Sequence, residues 1–390
     1  MEMPAPPNRP VYLDNQATTR CDPRVLAAML PWFCEEYGNP HSAEHIMGHR
    51  AEAAVEATRE QVAGLIGADP REMIFTSGAT ESNNIAIKGA ARFAARQKTD
   101  RKRIITLATE HKCVLECVAD LAAEGFEPVI LPVRPDGLLD PETLRAALAE
   151  PTLLVSVMAV NNETGVIQDI ASVAAIAKAE GALFHTDAAQ ATGKIPLDVT
   201  AQKIDLLSIS GHKLYGPKGV GALYVRRRPR VRLTPLFSGG GQERGLRSGT
   251  LPTALIVGLG EACRLAAAEM ALDAFRIAEH RALLLDRLRA AIPGLRVNAS
   301  ETSRIPGNLN LTFPVATAQQ LLAACPDLCV STGSACSSAE VEPSYVLRAL
   351  GLADAEAART LRIGVGRFTS PADIDYAAAA LIAAHTNAAA

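Results

Sequence analysis

Short apolar segments alternate with amphipathic segments along the middle of the chain, from about Arg71 to Val225. The apolar segments predict strands at Met73–Thr76, Arg103–Thr109, Glu127–Pro132, Leu153–Val160, Ala182–Thr186, Ile204–Ser210 and Gly221–Val225. The segments between several of them predict helices at Glu81–Ala95, Cys113–Glu124, Glu142–Ala149 and Ser172–Glu180. This alternation favours an α/β domain with a largely parallel, doubly wound sheet. Ligands of such sheets bind beyond the carboxyl ends of the strands, so polar residues there are candidates for chemistry.

The pattern changes after Thr250. Leu255–Arg289 is rich in Ala, Leu and charged residues, which predicts one long helix. A second α/β stretch follows from about Gly294 to the end of the chain, and we interpret it as a smaller domain. Its last part, Tyr376–Ala390, is rich in Ala and predicts a helix that frays.

Composition narrows the class of protein. The chain has 390 residues, 48% of them hydrophobic, which suffices for a large core and a smaller companion domain. No apolar segment approaches the roughly 20 residues that cross a bilayer, and Met1–Pro10 lacks the features of a signal peptide. We therefore expect a soluble, cytoplasmic protein that does not associate with membranes.

The formal net charge of −3 gives no overall attraction to nucleic acid, and we expect none to bind. One local exception is the basic stretch Arg226–Arg232, which follows a predicted strand. It is either a solvated turn or a docking surface for an acidic partner.

The eight cysteines are spread along the chain without a CxxC pair. They are Cys21, Cys34, Cys113, Cys117, Cys263, Cys325, Cys329 and Cys336. Reduced thiols are expected rather than a disulfide framework. Cys113 and Cys117 lie near His111, but two thiols and one histidine do not complete a zinc site. No resident metal is predicted.

The first strand end that carries chemistry is the sequence Thr76-Ser77-Gly78-Ala79-Thr80. A strand enters a glycine turn and leaves as a helix, and the free N–H groups of a helix start can hold a phosphate. Ser and Thr are also ordinary helix caps, so a purely structural role is at least as good an interpretation. Neither a dinucleotide fingerprint nor a P-loop is present there.

Two further strand ends provide a carboxylate and an amine. Asp187 closes one predicted strand, and Lys213 follows another 26 residues later, a spacing that accommodates one crossover between parallel strands. A lysine can form a Schiff base with an aldehyde cofactor, and a carboxylate can keep a pyridinium nitrogen protonated. Strand-end Asp often caps a helix and most lysines are solvated, so structural roles compete. Lys218 lies in a Gly-Pro-Lys-Gly turn that should project it outward, which favours Lys213.

A loop of small residues surrounds Cys336, in Ser331–Glu340. An accessible cysteine can act as a thiolate nucleophile, whereas a buried one is inert. Because loops of small residues are common, a catalytic and a structural role are about equally supported at this point.

Together these segments resemble the cysteine desulfurases of the NifS/IscS type, a branch of the class V aminotransferase superfamily. The resemblance extends from Val11 to about Arg367, and its most specific stretches are Thr76–Asn83, Val160–Gly165, Ser210–Gly221, Arg244–Thr250 and Ser331–Gly351. It implies a pyridoxal-phosphate-dependent transferase fold of the aspartate aminotransferase type (fold type I). It also implies a large, mainly parallel seven-stranded sheet domain at residues 15–262. Residues 1–14 with 263–390 would form a small α/β domain that carries a mobile Cys336 loop.

The resemblance assigns the cofactor, pyridoxal 5′-phosphate, to named residues. Lys213 would hold it covalently, Asp187 would pair with the pyridine nitrogen, and His111 would stack on the ring and relay protons. Gln190 and Asn162 would contact the phenolic oxygen and the substrate side of the site. The phosphate would be held by Ala79, Thr80, Ser210 and His212.

The same resemblance implies the reaction and its partners. Arg362 would clamp the carboxylate of L-cysteine together with Asn162, Lys213 would take the α-proton, and Cys336 would receive the sulfur as a persulfide while alanine is released. Thr250 would reach the phosphate bound by the other subunit of a homodimer. Sulfur would pass to an acceptor protein for iron–sulfur cluster or other thio-cofactor biosynthesis, where Cys336 would at most touch a partner's cluster transiently.

This sequence departs from the family pattern in three places. Gly364 replaces a common Ser, Thr332 replaces a frequent Ser, and the chain ends soon after the Ala-rich helix, without the longer polar tail that helps dock a scaffold protein. Two other interpretations remain: a different pyridoxal-phosphate enzyme of this fold, such as a selenocysteine lyase or small-amino-acid aminotransferase, and a non-enzymatic sulfur-transfer scaffold.

Overall fold

The computed structural model describes residues 9–332 and 344–389. Its strands are β1 (Val11–Tyr12), β2 (Met73–Thr76), β3 (Arg103–Leu107), β4 (Glu127–Leu131), β5 (Thr152–Ser156), β6 (Leu183–Asp187), β7 (Leu206–Ser210), β8 (Gly221–Val225), β9 (Arg296–Val297), β10 (Asn308–Thr312), β11 (Leu328–Cys329) and β12 (Thr360–Gly364). Its helices are α1 (Pro23–Met29), α2 (Pro31–Cys34), α3 (Ile46–Leu65), α4 (Ala79–Arg96), α5 (Lys112–Asp120), α6 (Pro141–Ala147), α7 (Ile170–Ala179), α8 (Thr253–Ala291), α9 (Ala318–Ala324), α10 (Tyr345–Ala349), α11 (Asp354–Ala357) and α12 (Pro371–Ala389). Short 3-10 turns lie at Pro70–Glu72, Leu121–Glu124, Gly211–Lys213 and Glu243–Gly245.

The largest sheet has seven strands in the order β2-β8-β7-β6-β5-β3-β4. Strands β4, β3, β5, β6 and β7 run parallel, and only β8 pairs antiparallel with β7 and β2. The predicted large, mainly parallel seven-stranded sheet is therefore confirmed. Because β6 and β7 are neighbours, their carboxyl ends bring Asp187 and Ser210 to the same edge.

Some strands and helices end earlier than the sequence predicts. In one of them a side chain, and not a neighbouring strand, accepts the next backbone hydrogen bond. The strand predicted at Leu153–Val160 ends at Ser156. Its neighbour β3 stops at Leu107, so the N–H of Met158 donates to Glu110 Oε1 at 2.6 Å instead of to a strand carbonyl. The helix predicted at Cys113–Glu124 is α5 followed by a 3-10 turn, which Gly125 ends with a left-handed φ of 83°.

Helix α8, 39 residues long, joins the two parts of the core. Its first half contributes Ile256 and Leu259 to the core beneath the large sheet. Its second half contributes Leu284 and Leu288 to a separate core that also contains Val11 and Leu13. The predicted domain boundary at residues 262 and 263 falls inside this helix and stays a prediction.

The smaller sheet has the order β12-β10-β9 and is antiparallel, and β1 pairs parallel with β11 beside it. Helix α12 covers this region with buried Ala377, Leu381 and Ala384. It begins at Pro371, five residues before the predicted start, because the Ser370 and Asp373 side chains accept hydrogen bonds from each other's backbone N–H. In residues 9–332 and 344–389, no helix is both long and apolar enough to cross a membrane.

A buried ion pair ties a long loop to the edge of the large sheet. Arg59 of α3 contacts Glu243 at 2.8 Å, and both side chains are almost fully buried. Glu243 also accepts the N–H of Phe75 in β2 at 2.6 Å. The loop after β8 is thereby held next to the strand that leads into the glycine turn at Gly78.

Replacing Glu243 by Ala should lower the free energy of unfolding by about 3 kcal/mol, because the buried Arg59 would keep only the exposed carboxylate of Glu56 as its partner. Glu124→Ala is the matched control, since its pair with Arg92 is part-exposed at 39% and 34% and its loss should cost about 1 kcal/mol or less. Urea unfolding followed by circular dichroism compares the two. Equal losses in both variants would contradict this account of the Glu243 pair.

Candidate active site

Lys213 lies at the carboxyl end of the sheet, in the 3-10 turn that directly follows β7. Its Nζ donates to the backbone carbonyls of Gln16 at 2.5 Å and Ala17 at 2.7 Å. Lys218, five residues later, is exposed, as its turn predicts. Lys213 is therefore the lysine that the fold turns toward the strand ends.

Asp187 is buried at the end of the neighbouring strand β6. Its Oδ2 accepts a hydrogen bond from Asn83 Nδ2 at 2.7 Å, and its Oδ1 accepts the N–H of Ala189 at 2.9 Å. Asn83 lies on α4 and is fully buried. These two donors fix the orientation of the carboxylate at the end of β6.

The glycine turn between β2 and α4 presents an open helix start. Gly78 has a φ of 147°, which an L side chain rarely adopts, and no side chain caps α4. A Cβ atom on Gly221 would lie 2.6 Å from the Cα of Gly78, so strand β8 can pass this close only because residue 221 lacks a side chain. Uncapped N–H groups of an 18-residue helix form an anion site.

Three of the residues predicted to hold the phosphate, Ala79, Thr80 and Ser210, lie at this turn. Ser210 Oγ would be 3.9 Å from a Cβ atom on Gly78. Ala79 and Thr80 are the first residues of α4. Burial, together with the charges of Lys213, Lys218 and Lys194, lowers the pKa of His212 to about 4, so its ring is neutral at pH 7 and contacts Thr18 Oγ1 at 3.0 Å.

His111 is the residue that precedes α5 and caps its N-terminus. Its Nδ1 accepts the N–H of Cys113 at 3.2 Å, so the proton of the neutral ring lies on Nε2. The Cys113 sulfur is 3.0 Å from the same Nδ1 and accepts from Asn83 Nδ2 at 3.1 Å. Cys113 and Asn83 thus connect His111 to Asp187 through direct contacts.

Arg362 lies on β12 and brings the smaller sheet to the site. Its Nη2 pairs with Asp14 Oδ1 at 2.7 Å, and its Nη1 donates to the carbonyl of Asn162 at 3.2 Å. Asn162 Oδ1 is buried and has no hydrogen-bond partner in the described parts of the chain. A buried polar atom without a partner is expected where a ligand completes the hydrogen bonding.

Gln190 lies three residues beyond Asp187. Its Nε2 donates to the Gln16 carbonyl at 2.8 Å, and its Oε1 accepts from Lys194 Nζ at 2.8 Å. Because Lys213 donates to the same Gln16 carbonyl, Gln190 and Lys213 are joined through one oxygen. Asp187, Asn83, Lys213 and Gln190 therefore form one constellation at the sheet edge.

The sequence matches the family model described as Aminotransferase class-V over residues 11–377. The chain belongs to the class-V aminotransferase family. It is 56% identical to "Cysteine desulfurase" of Pongo abelii over 368 residues, covering 94% of this chain and 80% of that protein. It is 53% identical to "Cysteine desulfurase IscS" of Rickettsia rickettsii (strain Iowa), covering 94% and 89% of the two chains. A solved structure titled "NIFS-LIKE PROTEIN" aligns with a TM-score of 0.88 at 37% identity, covering 97% and 99%.

These comparisons confirm the resemblance to NifS/IscS-type cysteine desulfurases and the fold type I architecture. They also confirm pyridoxal 5′-phosphate as the cofactor of this class-V aminotransferase. The residues present fit that group. An open helix start suits the phosphate, a carboxylate held by two donors suits the pyridinium nitrogen, and Lys213 in the turn after β7 offers an amine at the same carboxyl end of the sheet.

One predicted site residue, Thr250, stands apart from this constellation. Thr250 is exposed on the loop before α8. Cys336 lies outside the described residues. The assignments of Thr250, Cys336 and the individual contacts to cofactor and substrate stay predictions.

Sequence reasoning missed Asn83, Lys194 and the backbone of Gln16. Asn83 lies in the Thr76–Asn83 stretch, where the glycine and the hydroxyl residues are the recognisable features. Its partner Asp187 is 104 positions away, so the sequence gives no local signal for their contact. Lys194 follows Gln190 by four residues, a spacing that in a turn can place two side chains together and was the available signal.

The departure at Gly364 has a structural reason. A Cβ atom on residue 364 would lie 1.9 Å from Gln16 Oε1 and 2.8 Å from the N of Asn15. Glycine at this position of β12 therefore makes room for the Gln16 side chain, and Ser in its place requires a different residue or conformation at position 16.

Asn83→Ala should weaken binding of pyridoxal phosphate roughly tenfold or more, because Asp187 loses a charge-assisted hydrogen bond in a buried place. Titration of the apoprotein with the cofactor, followed by absorbance, measures the dissociation constant. Asn84→Ala is the matched control, since the Asn84 side chain only donates to the Thr80 carbonyl on the exposed side of α4. Unchanged affinity in Asn83→Ala would contradict the role assigned to Asn83.

Proposed function

We propose that this chain is a cysteine desulfurase in which Lys213 and Cys336 carry the reaction. It removes sulfur from L-cysteine, releases L-alanine and passes the sulfur through a persulfide on Cys336 to an acceptor protein. The observation that carries the proposal is that Lys213 and Gln190 share the Gln16 carbonyl at the sheet edge where β6 ends with Asp187. Arg362 of the other sheet pairs with Asp14 of the same segment. The family membership and the names of its relatives support the same activity.

Pyridoxal phosphate, when bound, supplies an electron sink next to the substrate's α-carbon. Lys213 holds it, Asp187 keeps its ring nitrogen protonated, and Gln190 contacts its phenolic oxygen. Ala79, Thr80, Ser210 and His212 hold its phosphate at the open start of α4. A neutral His212 can hydrogen-bond there while Lys213 and Lys218 provide nearby positive charge.

Arg362 recognises the carboxylate of the substrate. It is nearly fully buried, and its pairing with Asp14 fixes the plane of the guanidinium. A planar fork of N–H donors suits bidentate binding of a carboxylate. Asn162, whose Oδ1 lacks a partner in the described structure, lies next to it and can accept an N–H of the substrate.

Proton transfer falls to Lys213 and His111. The Lys213 amine would take the α-proton of the substrate. His111 presents an Nε2–H, since its Nδ1 is occupied by the N–H of Cys113. This orientation leaves Nε2 as the atom that can exchange a proton at the ring face.

Sulfur transfer is assigned to the Cys336 thiolate. It attacks the substrate sulfur, an S–S bond forms, the C–S bond breaks, and its electron pair stays with the carbon that becomes the methyl group of alanine after protonation. Residues that flank the segment 333–343 are held at the site. Ser331 Oγ donates to Asp14 Oδ1 at 3.3 Å, and Ser344 Oγ donates to the buried Glu163 Oε2 at 2.6 Å.

The acceptor is proposed to be an acidic protein of iron–sulfur cluster or other thio-cofactor biosynthesis. In the basic stretch, Arg226 pairs with Asp205 at 2.8 Å, whereas Arg227, Arg228, Arg230 and Arg232 are exposed. Exposed arginines on one turn are suited to an acidic surface. A cytoplasmic location stays a prediction from the sequence.

A homodimer is proposed because Thr250 is exposed on a loop that is held near the glycine turn at Gly78. From there it could face the site of a second subunit. Arg247 of this loop pairs with Glu81 in the first turn of α4 at 2.9 Å. Large apolar side chains on α1 and α2 and between them are also exposed, with Leu30 at 57% and Phe33 at 54%. Exposed apolar surface of this kind favours a protein contact.

Cys336→Ala should reduce sulfide release from L-cysteine by about 100-fold or more while the visible absorbance of the bound cofactor remains, because the nucleophile is lost and the cofactor site is not. Alanine and sulfide are measured together, with reductant present. Cys34→Ala, which removes an exposed thiol, is the matched control and should keep full activity. Full sulfide release by Cys336→Ala would instead indicate a related lyase that needs no thiol.

A mixed dimer tests the role of Thr250. Lys213→Ala and Thr250→Asp subunits should each be inactive alone, the second because a carboxylate repels the phosphate. Co-expressed, they should regain activity, since the Lys213 of one subunit would be served by the Thr250 of the other. Activity that stays absent in a purified mixed dimer would place Thr250 in its own subunit's site.

A further inference from the structure

Lys194 is a second lysine at the site, and the proposed chemistry does not use it. It is half-buried in the turns that follow β6, four residues after Gln190. Backbone hydrogen bonds from Thr192 to Ala188 and from Ile195 to Ala191 curl this segment like a helical turn. Residues four apart in such a turn lie on one side, which brings Lys194 over Gln190.

The two side chains form part of a continuous hydrogen-bonded row. Lys194 Nζ donates to Gln190 Oε1 at 2.8 Å, and Gln190 Nε2 donates to the Gln16 carbonyl at 2.8 Å. The same carbonyl accepts from Lys213 Nζ at 2.5 Å. Asp273, which lines the same cavity as Lys194, is paired with Arg367 and Arg276.

The chemistry of its two partners, Lys194 and the Gln16 carbonyl, allows one orientation of the Gln190 amide. An ammonium can only donate and a backbone carbonyl can only accept. The amide oxygen must therefore face Lys194 and the amide nitrogen must face Gln16. A flipped amide would set N–H against the ammonium and oxygen against oxygen, which replaces two hydrogen bonds with two repulsive contacts.

We propose that Lys194 is a positioning residue that locks the Gln190 amide with its nitrogen toward the cofactor. This inference rests on the proposed contact between Gln190 and the phenolic oxygen of pyridoxal phosphate. One N–H of Nε2 is taken by Gln16, and the lock leaves the second for that oxygen. Without Lys194 only the Gln16 carbonyl favours this orientation. The flipped amide, whose oxygen would repel the phenolic oxygen, then becomes more populated.

The charge of Lys194 is sensitive to pH near neutrality. Burial, followed by the charges of Lys213 and Arg362, lowers its pKa to about 7. The ammonium form, which can only donate, is present below this pH and is lost above it. The orientation of the Gln190 amide is therefore fixed most strongly below neutral pH.

A hydrogen bond from Gln190 Nε2 would draw negative charge from the phenolic oxygen. That oxygen would then stabilise the proton on the Lys213 nitrogen less strongly, so this proton would be lost at a lower pH. Lys194→Met should therefore raise the midpoint of the pH titration of the visible cofactor band by about 0.5 to 1 pH unit. The variant should fold, since it removes a half-buried cation that repels Lys213 and Arg362. Lys194→Arg keeps a donor and should fall closer to wild type.

A double-mutant cycle separates positioning from a simple charge effect. If Lys194 acts through Gln190, then Lys194→Met should not move the midpoint further in a Gln190→Ala background. Equal shifts of the midpoint in both backgrounds would overturn the proposal, as would no shift in Lys194→Met alone. Lys203→Met replaces an exposed lysine and is the control. It should leave the midpoint of the pH titration and the rate of L-cysteine turnover unchanged.

The wild type distinguishes this inference from the proposed function. A purified wild type that lacks a visible cofactor band and does not turn over L-cysteine overturns the proposed function and this inference with it. If the wild type has both properties but Lys194→Met does not shift the midpoint of the pH titration, only the inference is overturned.

Discussion

The hydrogen bonds of the segment Asp14–Thr19 hold the site together across the space between the two sheets. Asp14 pairs with Arg362 of β12, and the Gln16 carbonyl accepts from Lys213 beyond β7. Thr19 Oγ1 donates to the carbonyl of His212 at 2.9 Å and accepts the N–H of Tyr215. The proposed substrate clamp Arg362 and the proposed cofactor lysine Lys213 come from different sheets, and one short segment of the chain contacts both.

The charges at the site are arranged for two anionic groups, a phosphate and a carboxylate. Lys213, Lys194 and Arg362 bring positive charge, while burial raises the pKa of Glu110 and of Glu163 and so favours their uncharged forms. Asp14 differs from both, because it pairs directly with Arg362 at 2.7 Å. Positive charge that is partly shielded from water raises the free energy of the folded protein when no ligand is bound. Bound anions offset that cost.

The sequence was sufficient for features that depend on local pattern and chain order. Strands β2 and β8 begin and end where the apolar pattern predicts, and Lys213 and Asp187 follow from the placement of polar residues at strand ends. Asn83 was not predictable in this way, because its role is a contact with a residue that the crossover of the chain brings near. The role of Cys336 came from family resemblance, since a thiol among small residues has no pattern of its own.

Gly364 shows how one missing side chain constrains the reactive groups. Its absent Cβ leaves the space that Gln16 Oε1 occupies, and a larger residue would displace that side chain. Gln16 is also the residue whose carbonyl accepts from both Lys213 and Gln190, so a shift of its backbone would move both donors together. A substitution on β12 that contacts neither lysine can therefore change the geometry at Lys213. Positions 16 and 364 are therefore coupled, because a side chain at 364 requires a change in the residue or conformation at 16.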